Sequence, residues 1–208
     1  MQKFWETGSG KTSLAKLFME FYSPDKGHIY VDGAELQNFE VQEIRKAVVY
    51  VSQEDFLFTA SVRENLKMGN EEISDEEMIE ISRKMGVHQF VSKMEREYDS
   101  VLEERGKNLS KGQRQKLSLT RAILRHPKIL ILDEATSNMD SISEREILNY
   151  IKGIRDITLI LISHRINVIA DSDCIYVLQK GNIVARGTDE QLKEQCELYR
   201  QLYGEEEK

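Results

Sequence analysis

The chain has 208 residues, of which 40% are hydrophobic, enough to fill one domain, or a core with a small subdomain, around a sizeable interior. Its formal net charge of −7 argues against the broad basic face that nucleic-acid binding requires, so any nucleotide must be caught locally. The longest apolar runs, 128–133 and 157–163, fall far short of the roughly 20 residues of a membrane-spanning helix and read as buried strands.

No signal-peptide pattern opens the sequence: Met1 to Trp5 lead straight into polar, glycine-rich sequence, so the chain is expected to stay in the cytosol unless a partner carries it to a membrane. Next comes a glycine-rich turn, 8–12, before a helical stretch at 14–21. Strands are expected at 28–31, 47–51, 128–132, 157–162, 174–178 and 182–186. Turn residues support several of these boundaries: Pro24 to Gly27 and Asp32-Gly33 flank the first strand, and Lys180 to Asn182 joins the last two as a hairpin. Between about Phe56 and Arg125 only helical patterns are legible. One of them follows the acidic run 71–77, where Ser74 or Asp75 is the expected cap. Strands alternating with helices predict an α/β domain with a mostly parallel sheet and an inserted helical subdomain. Cys174, placed in an apolar strand, and Cys196, in a polar helical stretch, lack metal-ligand spacing and read as incidental thiols.

Three stretches carry chemistry. The turn Gly8, Ser9, Gly10, Lys11, Thr12, followed by Ser13, has the form of a P-loop. Backbone N–H groups and a helix start surround phosphates, Lys11 adds a point charge for the β- and γ-phosphates, and Thr12 offers a hydroxyl to Mg2+. The first glycine of that motif is absent, because Trp5 stands in its place. The second stretch, 129–134, is an apolar strand ending in adjacent carboxylates. Asp133 can hold Mg2+ and Glu134 can polarise an attacking water; alternatively, both merely begin a turn. In the third, Leu109, Ser110, Lys111, Gly112 and Gln113 open an amphipathic helix with Ser110 as its cap, which makes a second candidate anion site.

Residues 109–124 match the signature motif and following helix of ABC (ATP-binding cassette) proteins, and the order along the chain resembles that family throughout. P-loop, Gln53 after the strand at 48–51, signature, carboxylate strand, Asp140 and His164 follow in sequence. The resemblance implies a P-loop NTPase core, about 1–55 and 126–208, with a helical subdomain at about 56–125 carrying the signature, all within one ATP-binding domain. It implies ATP and Mg2+ as cofactors, with Gly8, Ser9, Gly10, Lys11, Thr12 and Ser13 on the phosphates. Thr12, Gln53 and Asp133 would serve the metal, and Glu134, Gln53 and His164 catalysis. Ser110, Gly112, Gln113 and Asp140 would complete the site of a second copy in a head-to-tail dimer. Taken singly, Gln53 also reads as a solvated loop residue, His164 as a structural histidine and Asp140 as a helix cap. Glu104, Arg105 and Gly106 before the signature, and the stretch 163–166, look like exporter sequences, and 133–144 is similar to peptide and bacteriocin exporters. Partner transmembrane domains, the cytoplasmic face of a membrane and no nucleic-acid partner are therefore expected.

Two departures bear on activity. Family members begin with further strands, forming an antiparallel subdomain, and an adenine-stacking aromatic; here only Met1 to Phe4 precede the P-loop, which reads as N-terminal truncation. Base stacking contributes about 1–3 kcal/mol, so its loss predicts ATP binding weaker by roughly tenfold to a hundredfold. Lys111 also replaces a signature glycine. The alternative reading is a degenerate or truncated cassette acting as a non-hydrolytic partner module. Chromosome-maintenance ATPases share the signature, but the stretch 54–108 is too short for their coiled-coil arms and has no heptads.

Overall fold

The computed structural model describes residues 10–54 and 56–206, so Trp5, Gly8 and Ser9 lie outside the described residues. Helices are α1 (Lys11–Phe18), α2 (Val41–Ala47), α3 (Val62–Lys67), α4 (Asp75–Lys84), α5 (His88–Val91), α6 (Lys111–Leu124), α7 (Ser141–Lys152), α8 (Ile166–Ile169), α9 (Asp189–Gln195) and α10 (Glu197–Glu206). Strands are β1 (Tyr30–Val31), β2 (Ala34–Glu35), β3 (Val48–Val51), β4 (Ile129–Asp133), β5 (Thr158–Ile162), β6 (Ile175–Gln179) and β7 (Asn182–Gly187). Two compact units emerge, residues 37–160 and residues 1–36 with 161–208.

In the first unit, β3 and β4 pair in parallel with Val48 opposite Ile129 and Val51 opposite Leu132, and the sheet order is β3-β4-β5. Residues 48–51 and 129–132 are almost continuously apolar, as strands covered on both faces must be. Val48, Val49, Leu130, Ile131 and Leu132 are buried accordingly. Between β3 and β4 the described residues form helices α3 to α6 and no strand, only one antiparallel bridge between Ser61 and Val101. The helices there start where side chains can cap them: Ser61 for α3, Ser74 for α4 and Ser110 for α6. Their apolar faces bury Leu66, Met78, Leu117, Leu119 and Leu124, each contributing about 1.5–3 kcal/mol. Arg63 gathers Asp99, at 2.8 Å, and Asp75, to which Lys67 also reaches.

The other unit holds α1, the β1–β2 hairpin turning at Asp32 and Gly33, and the β6–β7 hairpin turning at Lys180 and Gly181. Its core gathers Ile166, Ile175, Val177, Leu192, Cys196 and Tyr199. Tyr199 donates its hydroxyl to Asp189 at 2.8 Å, which spares this buried ring an unsatisfied polar tip.

Several sequence expectations change. The strand Ala34–Glu35 was not foreseen, because a two-residue strand exists only through its pairing with Tyr30–Val31. The first helix starts at Lys11 rather than 14 and stops before 21, since Glu20 adopts φ 50° and the N–H of Phe21 turns back to the Lys16 carbonyl, a Schellman ending. Cys174 is exposed and precedes β6 instead of lying in it, while Cys196 is buried at the break between α9 and α10.

Candidate nucleotide site

The described part of the P-loop begins at Gly10, the N-cap of α1, with φ 91° and no side-chain cap. An L side chain disfavours that left-handed conformation by about 1–2 kcal/mol, whereas glycine adopts it freely. Lys11 is half-buried, and Thr12 and Ser13 are exposed at the first turn of the helix. The N–H of Leu14 closes the first helical bond to the Gly10 carbonyl at 2.9 Å. In the same unit His164 is exposed in the loop after β5, where the neighbouring N–H of Arg165 donates to the Ser163 hydroxyl at 2.9 Å.

The carboxylate pair ends β4 in the other unit. Asp133 is 7% exposed and accepts a hydrogen bond from the Tyr50 hydroxyl at 2.9 Å. The register explains the contact. Tyr50 lies opposite Ile131, so it shares a face with the residue two further on, Asp133, within reach of an aromatic side chain. Burial, reinforced by the hydrogen bond and charge of Asp133, pushes the Tyr50 hydroxyl well above its ordinary pKa, so it remains a donor. Glu134 follows with φ 52°, a left-handed conformation that a non-glycine residue holds at a cost of order 1–3 kcal/mol and that recurs at functional sites. Gln53 is exposed just past the end of β3.

The signature and the turn at 137–140 also lie in the unit containing β4. Ser110 caps α6 through a capping box: its hydroxyl accepts from the N–H of Gln113 at 3.2 Å, and the Gln113 side chain accepts from the N–H of Ser110 at 2.9 Å. Gly112 approaches the neighbouring turn so closely that a β-carbon there would lie 3.1 Å from the carbonyl oxygen of Asn138. Asp140 caps α7, accepting the N–H of Ser143 at 2.9 Å. That bond, and then the Ser143 hydroxyl, hold its carboxyl below the usual carboxylate range.

Within one unit, then, the fold brings Asp133 and Glu134 together with Tyr50, and the signature residues together with the turn carrying Asp140. Sequence reasoning missed Tyr50, although the alternation of side chains along β3 carries the necessary signal. The unit with β4 offers hard oxygens, the Asp133 carboxylate and the Gln53 amide, and no cluster of three His, Cys, Asp or Glu occurs among the described residues. Such a set fits Mg2+, which is commonly held by one or two carboxylates, water and substrate phosphates instead of an all-protein cage.

The family model described as ABC transporter matches residues 6–137, a span that takes in the P-loop, the signature and the carboxylate strand. The chain belongs to the ABC transporter family. It is 43% identical over 190 residues to the heterocyst differentiation ATP-binding protein HepA of Nostoc sp., a match covering 91% of this chain and 31% of HepA. It is 40% identical over 197 residues to the lactococcin-G-processing and transport ATP-binding protein LagD of Lactococcus lactis, covering 94% and 28%. A solved bacterial Atm1-family ABC exporter with ATP bound superposes with a TM-score of 0.92 at 31% identity, covering 97% of this chain and 36% of that one. The chain thus spans about a third of the length of these relatives. It is the ATP-binding domain of an ABC protein with exporter-type relatives, and its enzyme class is that of the P-loop ATPases. No helix among the described residues is long and apolar enough to cross a membrane.

Proposed function

We propose that this chain binds and hydrolyses ATP to power export of a substrate through partner transmembrane domains, working at the cytoplasmic face of a membrane. The observation that carries the reading is the end of β4, where a buried Asp133 held by Tyr50 is followed at once by Glu134 in a left-handed conformation. The helical segment at about 56–125 serves as the signature-bearing subdomain of a single cassette. The non-hydrolytic alternative draws no support from the relatives.

Gly8, Ser9, Gly10, Lys11, Thr12 and Ser13 bind the phosphates of ATP, and Thr12, Gln53 and Asp133 hold Mg2+. When bound, Mg2+ would supply positive charge to offset that of the phosphates. Glu134 accepts the proton of the attacking water, which Gln53 and His164 orient. A second copy, arranged head-to-tail, contributes Ser110, Gly112, Gln113 and Asp140, so hydrolysis needs two chains.

Equilibrium binding of MgATP to the purified chain tests the reading. Saturable binding at millimolar nucleotide, abolished in Lys11→Ala, is expected. Glu134→Gln should keep that binding while turnover falls by about 10²- to 10⁴-fold, the usual contribution of a general base. A folded chain that binds no MgATP, or a Glu134→Gln variant that hydrolyses normally, rejects it.

A further inference from the structure

The helix α6 turns a face toward the Asp140 turn on which Gln115 and Lys116 play no part in the nucleotide reading. Gln115 on that face is fully buried. Its Oε1 accepts the backbone N–H of Asn138 at 3.0 Å, while its Nε2 has no hydrogen-bond partner. An unsatisfied buried amide costs about 1–3 kcal/mol, so an apolar side chain of the same length would suit the packing better. What glutamine provides there is the acceptor for Asn138. One turn earlier, Gly112 leaves only 3.1 Å between an added β-carbon and the Asn138 carbonyl oxygen. One residue later, the Lys116 ammonium donates to the Ser143 hydroxyl at 2.9 Å. Positions 112, 115 and 116 share one helix face. The peptide groups on both sides of Asn138 are thereby engaged by α6, the N–H by hydrogen bonding and the carbonyl by close packing.

Either flank of this contact carries a residue that faces outward. Ser110 caps α6 and Asp140 caps α7, and both are exposed. We propose that Gln115 is a positioning residue which, with Gly112, locks the backbone at Asn138 onto the signature helix, so that Ser110 and Asp140 present themselves to a second copy of this chain as one rigid edge. The use of that edge rests on the head-to-tail reading above, but the lock is a property of the single chain. It also separates the two positions after Ser110: Lys111 is exposed, and Gly112 is the one that abuts Asn138.

Gln115→Met tests the lock, because it keeps the length of the buried side chain and removes the acceptor. Hydrogen exchange at the Asn138 amide is expected to quicken by roughly five- to tenfold, the loss of one net hydrogen bond, with β4 amides unchanged. In a Glu134→Gln background, the ATP concentration for half-maximal pairing of chains, followed by light scattering, should rise several-fold. MgATP affinity measured at a chain concentration too low for pairing should stay the same. Gly112→Ala presses on the same peptide from the other side and should also weaken pairing, even though alanine is the better helix former; it serves if Gln115→Met does not fold. Unchanged exchange at Asn138 overturns the lock, and faster exchange with unaltered pairing overturns its role in presenting the edge. If the parent chain never pairs, the head-to-tail reading falls, and the exchange result still decides the lock.

Discussion

Helices α1 and α6 both open at glycine-bearing turns, yet the two starts are built in opposite ways. The cap of α1 is Gly10 at φ 91°, with no side-chain hydrogen bond, and Ala15 is the one buried residue assigned to this eight-residue helix. The cap of α6 is Ser110 in a reciprocal box with Gln113, and eight of its fourteen residues are buried. A helix start leaves backbone donors that something must satisfy. At α6 the protein's own side chains take part of that duty and packing fixes the rest, so the turn stands preformed. At α1 the capping residue is a glycine, which brings no side chain of its own to the turn, and a backbone-lined start of this kind is the sort that accepts an anion. The lesson is that two turns of similar composition differ in what completes them.

The largest break in this comparison is expected at Gly10. Among the described residues Gly10→Ala meets no clash, the nearest atom to an added β-carbon being the Cα of Gly181 at 3.9 Å, but the left-handed backbone is disfavoured by about 1–2 kcal/mol. MgATP affinity should therefore fall by about tenfold, with the denaturation midpoint of the rest of the chain little changed; full affinity in a fluorescent-nucleotide titration would show that the turn needs no left-handed residue. Ser110→Ala should act the other way round. Losing the cap costs about 1 kcal/mol of stability, visible as a fall in melting temperature of roughly 2–4 °C for a chain of this size, while binding of MgATP by the single chain stays intact. The smallest effect concerns acid. Asp140 caps α7 with a carboxyl held below its ordinary range, so its stabilisation is fully present above the unfolded value of about 3.9 and is lost as pH falls through the lower folded value. Stability of Asp140→Asn relative to the parent should therefore converge below about pH 4, whereas the Ser110→Ala difference should not vary with pH; parallel urea melts across that range would reveal the contrast or its absence.

Much of the site was legible because its causes are local in sequence. The caps Ser74, Ser110 and Asp140 need only a side chain and the N–H three residues on. The helix start after Asp140 follows from the capping residue, and the cores of β3 and β4 from apolar runs. Chemistry at 8–13, 109–113 and 133–134 is carried by residue type and spacing, so the family is legible in residue order alone.

Tertiary structure decided what depends on residues far apart in the chain. Tyr50 meets Asp133 across 83 positions because parallel pairing puts them on one face. Gln115 meets Asn138 across 23 because α6 packs against the turn after β4. Cys196 became a core residue through contacts with Tyr199 and Leu192 that composition does not foretell. The sequence by itself determined the family, the element types and the local caps, since those rest on backbone sterics and nearest neighbours. Register and packing alone determined which polar groups hold the carboxylate strand and the Asp140 turn in place.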